Sequence, residues 1–120
     1  MHKFSFEKLI VWQDSKELVK EIYKITNDFP KSETYGLSSQ LRRASISVSS
    51  NLAEGSSRKT NKDKANFSTI AYSSLIEVLN QIIIAYELDY ITIQKYENIR
   101  ALIEMISNKI NALRKTQLNN

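Results

Sequence analysis

The sequence predicts an all-α fold, an antiparallel up-down four-helix bundle that forms one domain. Three observations support this class. The 120 residues contain two glycines and one proline, whereas a protein with several strands needs turn residues at each hairpin. Apolar residues recur at alternating spacings of three and four, which keeps them on one face of a helix. Short polar connections separate four such stretches, and short connections favour antiparallel neighbours.

The helices are expected at about residues 11–28, 37–55, 61–88 and 92–114 of a single domain spanning residues 1–120. The first stretch ends before Pro30, since proline disfavours helical geometry in the preceding residue. The second stretch is rich in alanine and serine, which allows a neighbouring helix to approach closely, and it ends at Gly55.

The third stretch begins with a capping box, in which the Thr60 hydroxyl accepts a backbone hydrogen bond and Asp63 stands three residues later. The apolar residues of the third and fourth stretches occupy more than one side of each helix. Part of this surface is therefore expected to be buried between the subunits of a homo-oligomer. The alternative is that the third helix lies at the centre of the monomer's own core.

The composition of the chain argues against several classes of protein and site. The sequence contains no cysteine, which removes disulfides, thiol chemistry and the usual zinc sites. Charged residues among the first fifteen argue against a signal peptide. No run of apolar residues approaches the ~18 that a membrane span needs. We therefore expect a cytoplasmic protein that does not associate with a membrane.

The net charge of +4 is concentrated in one stretch of the sequence, residues 40–64, which holds six basic and two acidic side chains. Clustered cations release counterions from a nucleic-acid backbone, so this stretch is a candidate phosphate-binding surface. The alternative is a solvated loop whose charges aid solubility. The candidate contact residues are Arg58, Lys59, Lys62 and Lys64, with Arg42 as a weaker candidate.

A continuous polar line adjoins the apolar face of the second helix. It consists of Gln40, Arg43, Ser47, Asn51, Glu54 and Arg58. Within it, Arg43 and Ser47, and also Glu54 and Arg58, are four residues apart and within side-chain reach on a helix. The line is interpreted as a structural network at a helix or subunit boundary, with partners such as Glu77, or else as a groove for a ligand or nucleic acid.

A catalytic groove is the third interpretation of the polar line, and the residues argue against it. Glu54 is the only carboxylate in the line, and the single histidine of the chain is His2. Acid–base pairs, glycine-rich phosphate loops and metal-ligand spacings are all missing from the sequence. We therefore expect a protein without enzymatic activity, bound metal or cofactor.

Several motifs resemble those of the four-helix bundle family named for 23S rRNA intervening-sequence proteins. They are Val11-Trp12-Gln13, Phe29-Pro30 followed by Glu33, Tyr35-Gly36-Leu37, Gln40-Leu41-Arg42-Arg43-Ala44, Ser47, Asn51-Leu52-Ala53-Glu54-Gly55, Ala71, Ser74-Leu75, Glu77, Ala85 and Leu88-Asp89-Tyr90-Ile91. The resemblance covers about residues 4–110, and the block from Gln40 to Gly55 is its most specific part. Two positions depart from it, because Ser73 and Asp89 stand where relatives commonly have glycine.

The resemblance implies a small bacterial protein that assembles into a ring, typically a homopentamer. The accessory protein of diversity-generating retroelements is similar to this family, and it is a basic barrel that binds nucleic acid and a reverse transcriptase. We therefore expect a ring that binds nucleic acid, specifically structured RNA, through basic surfaces. The alternative is an assembly or scaffold protein that binds a protein partner, such as a reverse transcriptase, and does not contact nucleic acid.

Overall fold

The structure, a computed structural model, describes residues 1–119 and consists mainly of four long helices. The helices are α1 (Ile10–Thr26), α2 (Leu37–Ser56), α3 (Asn61–Glu87) and α4 (Ile93–Leu118). Short 3-10 turns at Ser5–Lys8 and Lys31–Glu33 precede α1 and α2. Asn120, the last residue of the predicted domain, lies outside the described residues.

Each helix packs against two others, in the cyclic order α1–α2–α3–α4–α1. The two diagonal pairs make no close backbone approach within residues 1–119. This arrangement follows from the short connections, which force each helix to run back beside the one before it. The predicted all-α, up-down four-helix bundle is confirmed, and its principal extents are 45 × 30 × 21 Å.

Helix α3 is the most apolar element and lies in the core of the bundle. By length and composition alone it is able to cross a membrane. However, it makes the most extensive helix contacts in the molecule, with α2 on one side and α4 on the other. Leu75, Val78 and Ile82 are fully buried there, against Leu18 of α1 and Ile106 of α4 within one core cluster.

Tertiary contacts explain why α4 continues to Leu118, four residues beyond the predicted end near Arg114. The Arg114 Nε donates to the Thr69 hydroxyl at 2.7 Å, and the Ser68 hydroxyl donates to the Gln117 side-chain oxygen at 2.7 Å. Both contacts reach from α4 to α3, about 45 residues away in sequence. They hold the last turns of α4 against the first turns of α3.

The connection between α2 and α3 is short and tightly packed. The Thr60 hydroxyl accepts a hydrogen bond from the Asp63 backbone N–H at 3.1 Å, which confirms the predicted cap of α3. Gly55 is buried in the last turn of α2, and a Cβ atom added there would lie 2.8 Å from the Phe67 Cβ. The end of α2 and the start of α3 therefore touch through a position without a side chain.

Candidate nucleic-acid interface

One end of the bundle collects basic side chains from three separate parts of the chain. Helix α2 ends there, α3 begins there and α4 ends there, because successive helices are antiparallel. We call it the basic end and define it by Arg58, Lys59, Lys62, Lys64, Arg114 and Lys115. The first four are the predicted phosphate contacts, and the structure places them together.

Arg114 and Lys115 were missed by the sequence reasoning because they are distant in sequence from residues 40–64. The stretch 65–120 holds equal numbers of acidic and basic side chains, which conceals their contribution. The up-down topology separates these charges, since the basic residues at the end of α4 return to the α2–α3 loop. The signal that identifies them is their place in the last turn of a predicted fourth helix.

The fold divides the charge unevenly between the two halves of the bundle. When each helix is divided at its middle, the half with the basic end contains ten basic and five acidic side chains. The other half, which contains the α1–α2 and α3–α4 connections and which we call the opposite end, has seven basic and eight acidic side chains. The net positive charge of the molecule therefore lies in one half.

Arg58 is held by the start of α3. Its guanidinium lies 3.7 Å from the Asp63 carboxylate and 5.2 Å from the centre of the Phe67 ring. The helical spacing of four between Glu54 and Arg58 does not continue to Arg58, because α2 ends at Ser56. The long, half-exposed ion pair leaves Arg58 able to contact another anion.

Lys62 and Arg114 line an open groove between the first turns of α3 and the last turns of α4. Its volume is about 270 Å³. The Arg114 Nε is bound to Thr69, which fixes the direction of the guanidinium and leaves its two terminal nitrogens free to donate. Lys59 is exposed in the α2–α3 loop, and Lys64 is half-buried in the first turn of α3.

Arg42, the weaker candidate, has a structural role in this fold. Its Nε donates to the Thr26 hydroxyl at 2.8 Å, and one terminal nitrogen donates to the Asn27 side-chain oxygen at 3.0 Å. The guanidinium also stacks over the Tyr23 ring at 4.5 Å. Arg42 therefore joins α2 to the end of α1, and it lies in the half of the bundle away from the basic end.

Three residues of the predicted polar line, Gln40, Ser47 and Asn51, take part in a seam of hydrogen bonds where α2 meets α3. The Ser47 and Ser74 hydroxyl oxygens are 2.8 Å apart, and the Asn51 side-chain nitrogen donates to the Ser47 carbonyl at 2.8 Å. Farther along, the Gln81 side chain donates to Gln40 at 3.4 Å. Gln81 is 5% exposed, and its side-chain oxygen has no partner among the described residues.

Arg43 and Glu77 face each other across this seam without forming an ion pair. Together with Gln40, Ala44 and Ser47 they line a cavity of about 380 Å³. Both charged side chains are exposed, and within the described chain no salt bridge of 4.0 Å or less includes either one. Glu54 is likewise exposed in the last turns of α2. This part of the line is therefore open to an external partner.

Exposed isoleucines lie on the outer surfaces of the same two helices. Ile46 of α2 and Ile70, Ile76 and Ile84 of α3 are each between 39% and 43% exposed. Their positions account for the prediction that α3 carries too much apolar surface for one stripe. We call the isoleucines, together with Arg43 and Glu77, the α2–α3 outer surface.

The residues in place do not assemble a recognisable reaction centre. Across residues 1–119, no group of three or more histidines, aspartates or glutamates is placed to hold a metal ion. His2 packs edge-on against the Phe4 ring, with the ring centres 5.2 Å apart, in the segment before α1. The seam hydroxyls bond to each other and to an amide, so none is paired with a general base.

The model of the 23S rRNA-intervening sequence protein family matches residues 7–112 of the chain. The chain belongs to this family. Its fold is similar to the crystal structure of a protein with unknown function from the S23 ribosomal protein family of Bacteroides thetaiotaomicron, with a TM-score of 0.82. The two chains are 21% identical, and the likeness covers 88% of this chain and 96% of the other. No curated protein matches.

The structure of this intervening-sequence family member accounts for Gly55 and for the two departures from the resemblance, Asp89 and Ser73. Gly55 ends the most specific block of the resemblance, where the contact with Phe67 leaves no room for a side chain. Asp89, one of the two positions expected to depart from the resemblance, has a φ of 63°. This is the left-handed region that glycine adopts most readily. Ser73, the other departure, is exposed on α3, so it does not disturb packing within the chain.

Proposed function

We propose that this 23S rRNA-intervening sequence family protein is a non-enzymatic, cytoplasmic RNA-binding protein that acts as a homo-oligomeric ring. The observation that carries the proposal is the convergence of six basic side chains from the α2–α3 loop, the start of α3 and the end of α4 on one end of the bundle. Contact is made with phosphates and is therefore governed by the shape and charge of the RNA.

Most of the cations at the basic end have no acidic partner among the described residues. Among residues 1–119, the six cations that define the basic end make one ion pair, between Arg58 and Asp63 at 3.7 Å. Lys59 and Lys62 are exposed. When such cations contact phosphates, they displace counterions that are condensed on the nucleic acid, and the release of those counterions favours binding.

Self-association follows from the α2–α3 outer surface. In a ring, each copy meets its neighbour through two unlike surfaces. A neighbouring copy would cover the exposed isoleucines with a different surface of its own and bring new partners to Arg43 and Glu77. In a closed ring every copy points the same way along the axis, so the basic ends would form one rim. Five copies of this +4 chain would carry about +20.

A second candidate function uses the same surface without nucleic acid. The exposed isoleucines beside Arg43 and Glu77 also suit an assembly or scaffold protein that binds a protein partner, such as a reverse transcriptase. In that case the basic end serves solubility alone. The two candidates differ in whether RNA binds at all.

Charge reversal tests the proposal with a matched control. The test variant is R58E/K59E/K62E/K64E, and the control is K20E/K24E/K31E/K95E on exposed residues of the opposite end. Both variants shift the net charge from +4 to −4, by eight units each. We expect the test variant to lose binding of structured RNA by on the order of a thousandfold, and the control by less than about tenfold.

The readouts are fluorescence anisotropy of labelled RNA at several salt concentrations and the native mass of each variant. The wild-type affinity is expected to fall steeply between about 50 and 200 mM salt. Equal losses of RNA affinity in the two variants, or a wild-type affinity that does not change with salt concentration, would refute binding at the basic end. A wild-type ring that binds no RNA would favour the scaffold function.

A further inference from the structure

A cavity of about 400 Å³ lies at the basic end, with Lys64 in its wall. The segment before α1, the end of α2, the start of α3 and the end of α4 all contribute to its wall, so it is the place where the four parts of the chain meet. Leu9, Leu52 and Leu113 line its inner side and belong to, or pack against, the hydrophobic core. The cavity therefore has an apolar floor.

Polar side chains with unused hydrogen-bonding capacity complete the wall. Asn51 donates its amide nitrogen to Ser47, which leaves its side-chain oxygen as an acceptor. Gln117 accepts from Ser68 with its oxygen at 2.7 Å, which leaves its amide nitrogen as a donor. Lys64 also lines the cavity. An acceptor, a donor and a cation thus surround one apolar floor.

We propose that this cavity holds the base of one unpaired nucleotide while Lys64 and its basic neighbours contact the flanking phosphates. The inference rests on the proposed RNA binding and adds the class of RNA. A flat base fits the leucine floor, its edge needs both a donor and an acceptor, and a nucleotide carries a phosphate beside the base. The volume lies within the range of about 300–1,000 Å³ typical of small-molecule pockets.

The structural class of the target follows from this geometry. In an uninterrupted RNA duplex the bases are stacked and paired, and proteins contact mainly the backbone. A bulge, loop or single strand presents bases that can leave the stack and enter a pocket. The preferred target is therefore structured RNA with an unpaired nucleotide next to a helix.

The test compares two RNA duplexes, each annealed from two separate strands and with the same total number of phosphates, one fully paired and one with a single-nucleotide bulge. The wild-type protein is expected to bind the bulged duplex roughly tenfold more tightly, because burial of one base adds that much affinity. The variant Ser56→Phe places a ring in the cavity wall, because Ser56 is a half-buried lining residue. It should bring the ratio of the two affinities close to one.

The control is Ser57→Phe, since Ser57 is exposed and does not line this cavity. It should keep the preference for the bulge, and circular dichroism checks that both variants are folded. Equal wild-type affinities for the two duplexes would overturn the base-binding inference and leave phosphate binding intact. No binding of either duplex would overturn the proposed function itself. A bulge preference that survives Ser56→Phe in a folded protein would place the base elsewhere.

Discussion

The two ends of the bundle differ in the balance of their charged side chains. At the opposite end, Lys24 and Glu21 form an ion pair at 3.3 Å, and Lys95 lies 3.9 Å from Asp28. At the basic end, Arg58 lies 3.7 Å from Asp63, but the cations outnumber the acids, and Lys59 and Lys62 are exposed without an ion pair among the described residues. The difference indicates which end is available to an external anion, because a charge with an intramolecular partner gains less from a new one.

Hydrogen bonds at the opposite end join the two connections to each other. One Glu33 carboxylate oxygen accepts from the Leu37 backbone N–H at 3.1 Å, and the other accepts from the Tyr90 hydroxyl at 2.9 Å. The hydrogen bond to Glu33 raises the pKa of Tyr90 above its usual value, since loss of the proton would place two negative charges together. Side chains at this end therefore stabilise the fold.

The largest expected difference between the two ends is in RNA affinity. Neutralising Arg114 and Lys115 to glutamine should weaken RNA binding by roughly ten- to a hundredfold near 0.1 M salt, since two phosphate contacts are lost. The matched control neutralises Lys24 and Lys95, which are exposed at the opposite end. Filter binding with one RNA measures both variants. If the control loses as much affinity as the test variant, net charge rather than location governs binding.

The two glycines offer a comparison of packing at the two ends. Gly55→Ala should lower the free energy of unfolding by about 1–3 kcal/mol, because the new methyl group would meet the Phe67 Cβ at 2.8 Å. Gly36→Ala should cost less than about 1 kcal/mol, since the new methyl group would meet the far end of the Glu33 side chain, which can shift and weaken its hydrogen bond to the Leu37 N–H. Urea unfolding measures both, and a cost at Gly36 equal to that at Gly55 would contradict this account.

The smallest expected effect is a gain in stability at the end of α3. Asp89→Gly should raise the free energy of unfolding by about 0.5–1 kcal/mol, because glycine adopts the observed φ of 63° without steric cost. Glu87→Gly, two residues earlier and within the helix, should lower it by about 1 kcal/mol. Thermal unfolding measures whether each variant is more or less stable than the wild-type protein. A loss of stability in Asp89→Gly would mean that the aspartate side chain stabilises the turn.

The fold could be predicted because the local signals agreed with one another. Few glycines and prolines, the break at Pro30 and the Thr60 cap all pointed to long helices with short connections. The positions of the helix ends were less predictable where contacts between helices decided them. Helix α4 continues past Arg114 because Thr69 and Ser68 of α3 hold its last turns.

The site was predictable only where its residues are neighbours in sequence. The hydrogen bond between Asn51 and Ser47 follows from a spacing of four on one helix. The partners Ser74 and Gln81 lie on α3, and a sequence does not give the rotation of α3 about its axis relative to α2. Arg114 lies at the basic end because the up-down topology brings the end of α4 back to the start of α3, although Arg114 and Lys64 are far apart in sequence.

The uneven distribution of charge gives the molecule an electric dipole along the 45 Å axis of the bundle. Near a polyanion, this dipole produces a torque that turns the basic end forward before any atoms touch. A larger share of collisions then begins in the productive orientation, so the association rate rises more than the affinity alone requires. Physiological salt confines the torque to about 8 Å, the distance over which charges are screened.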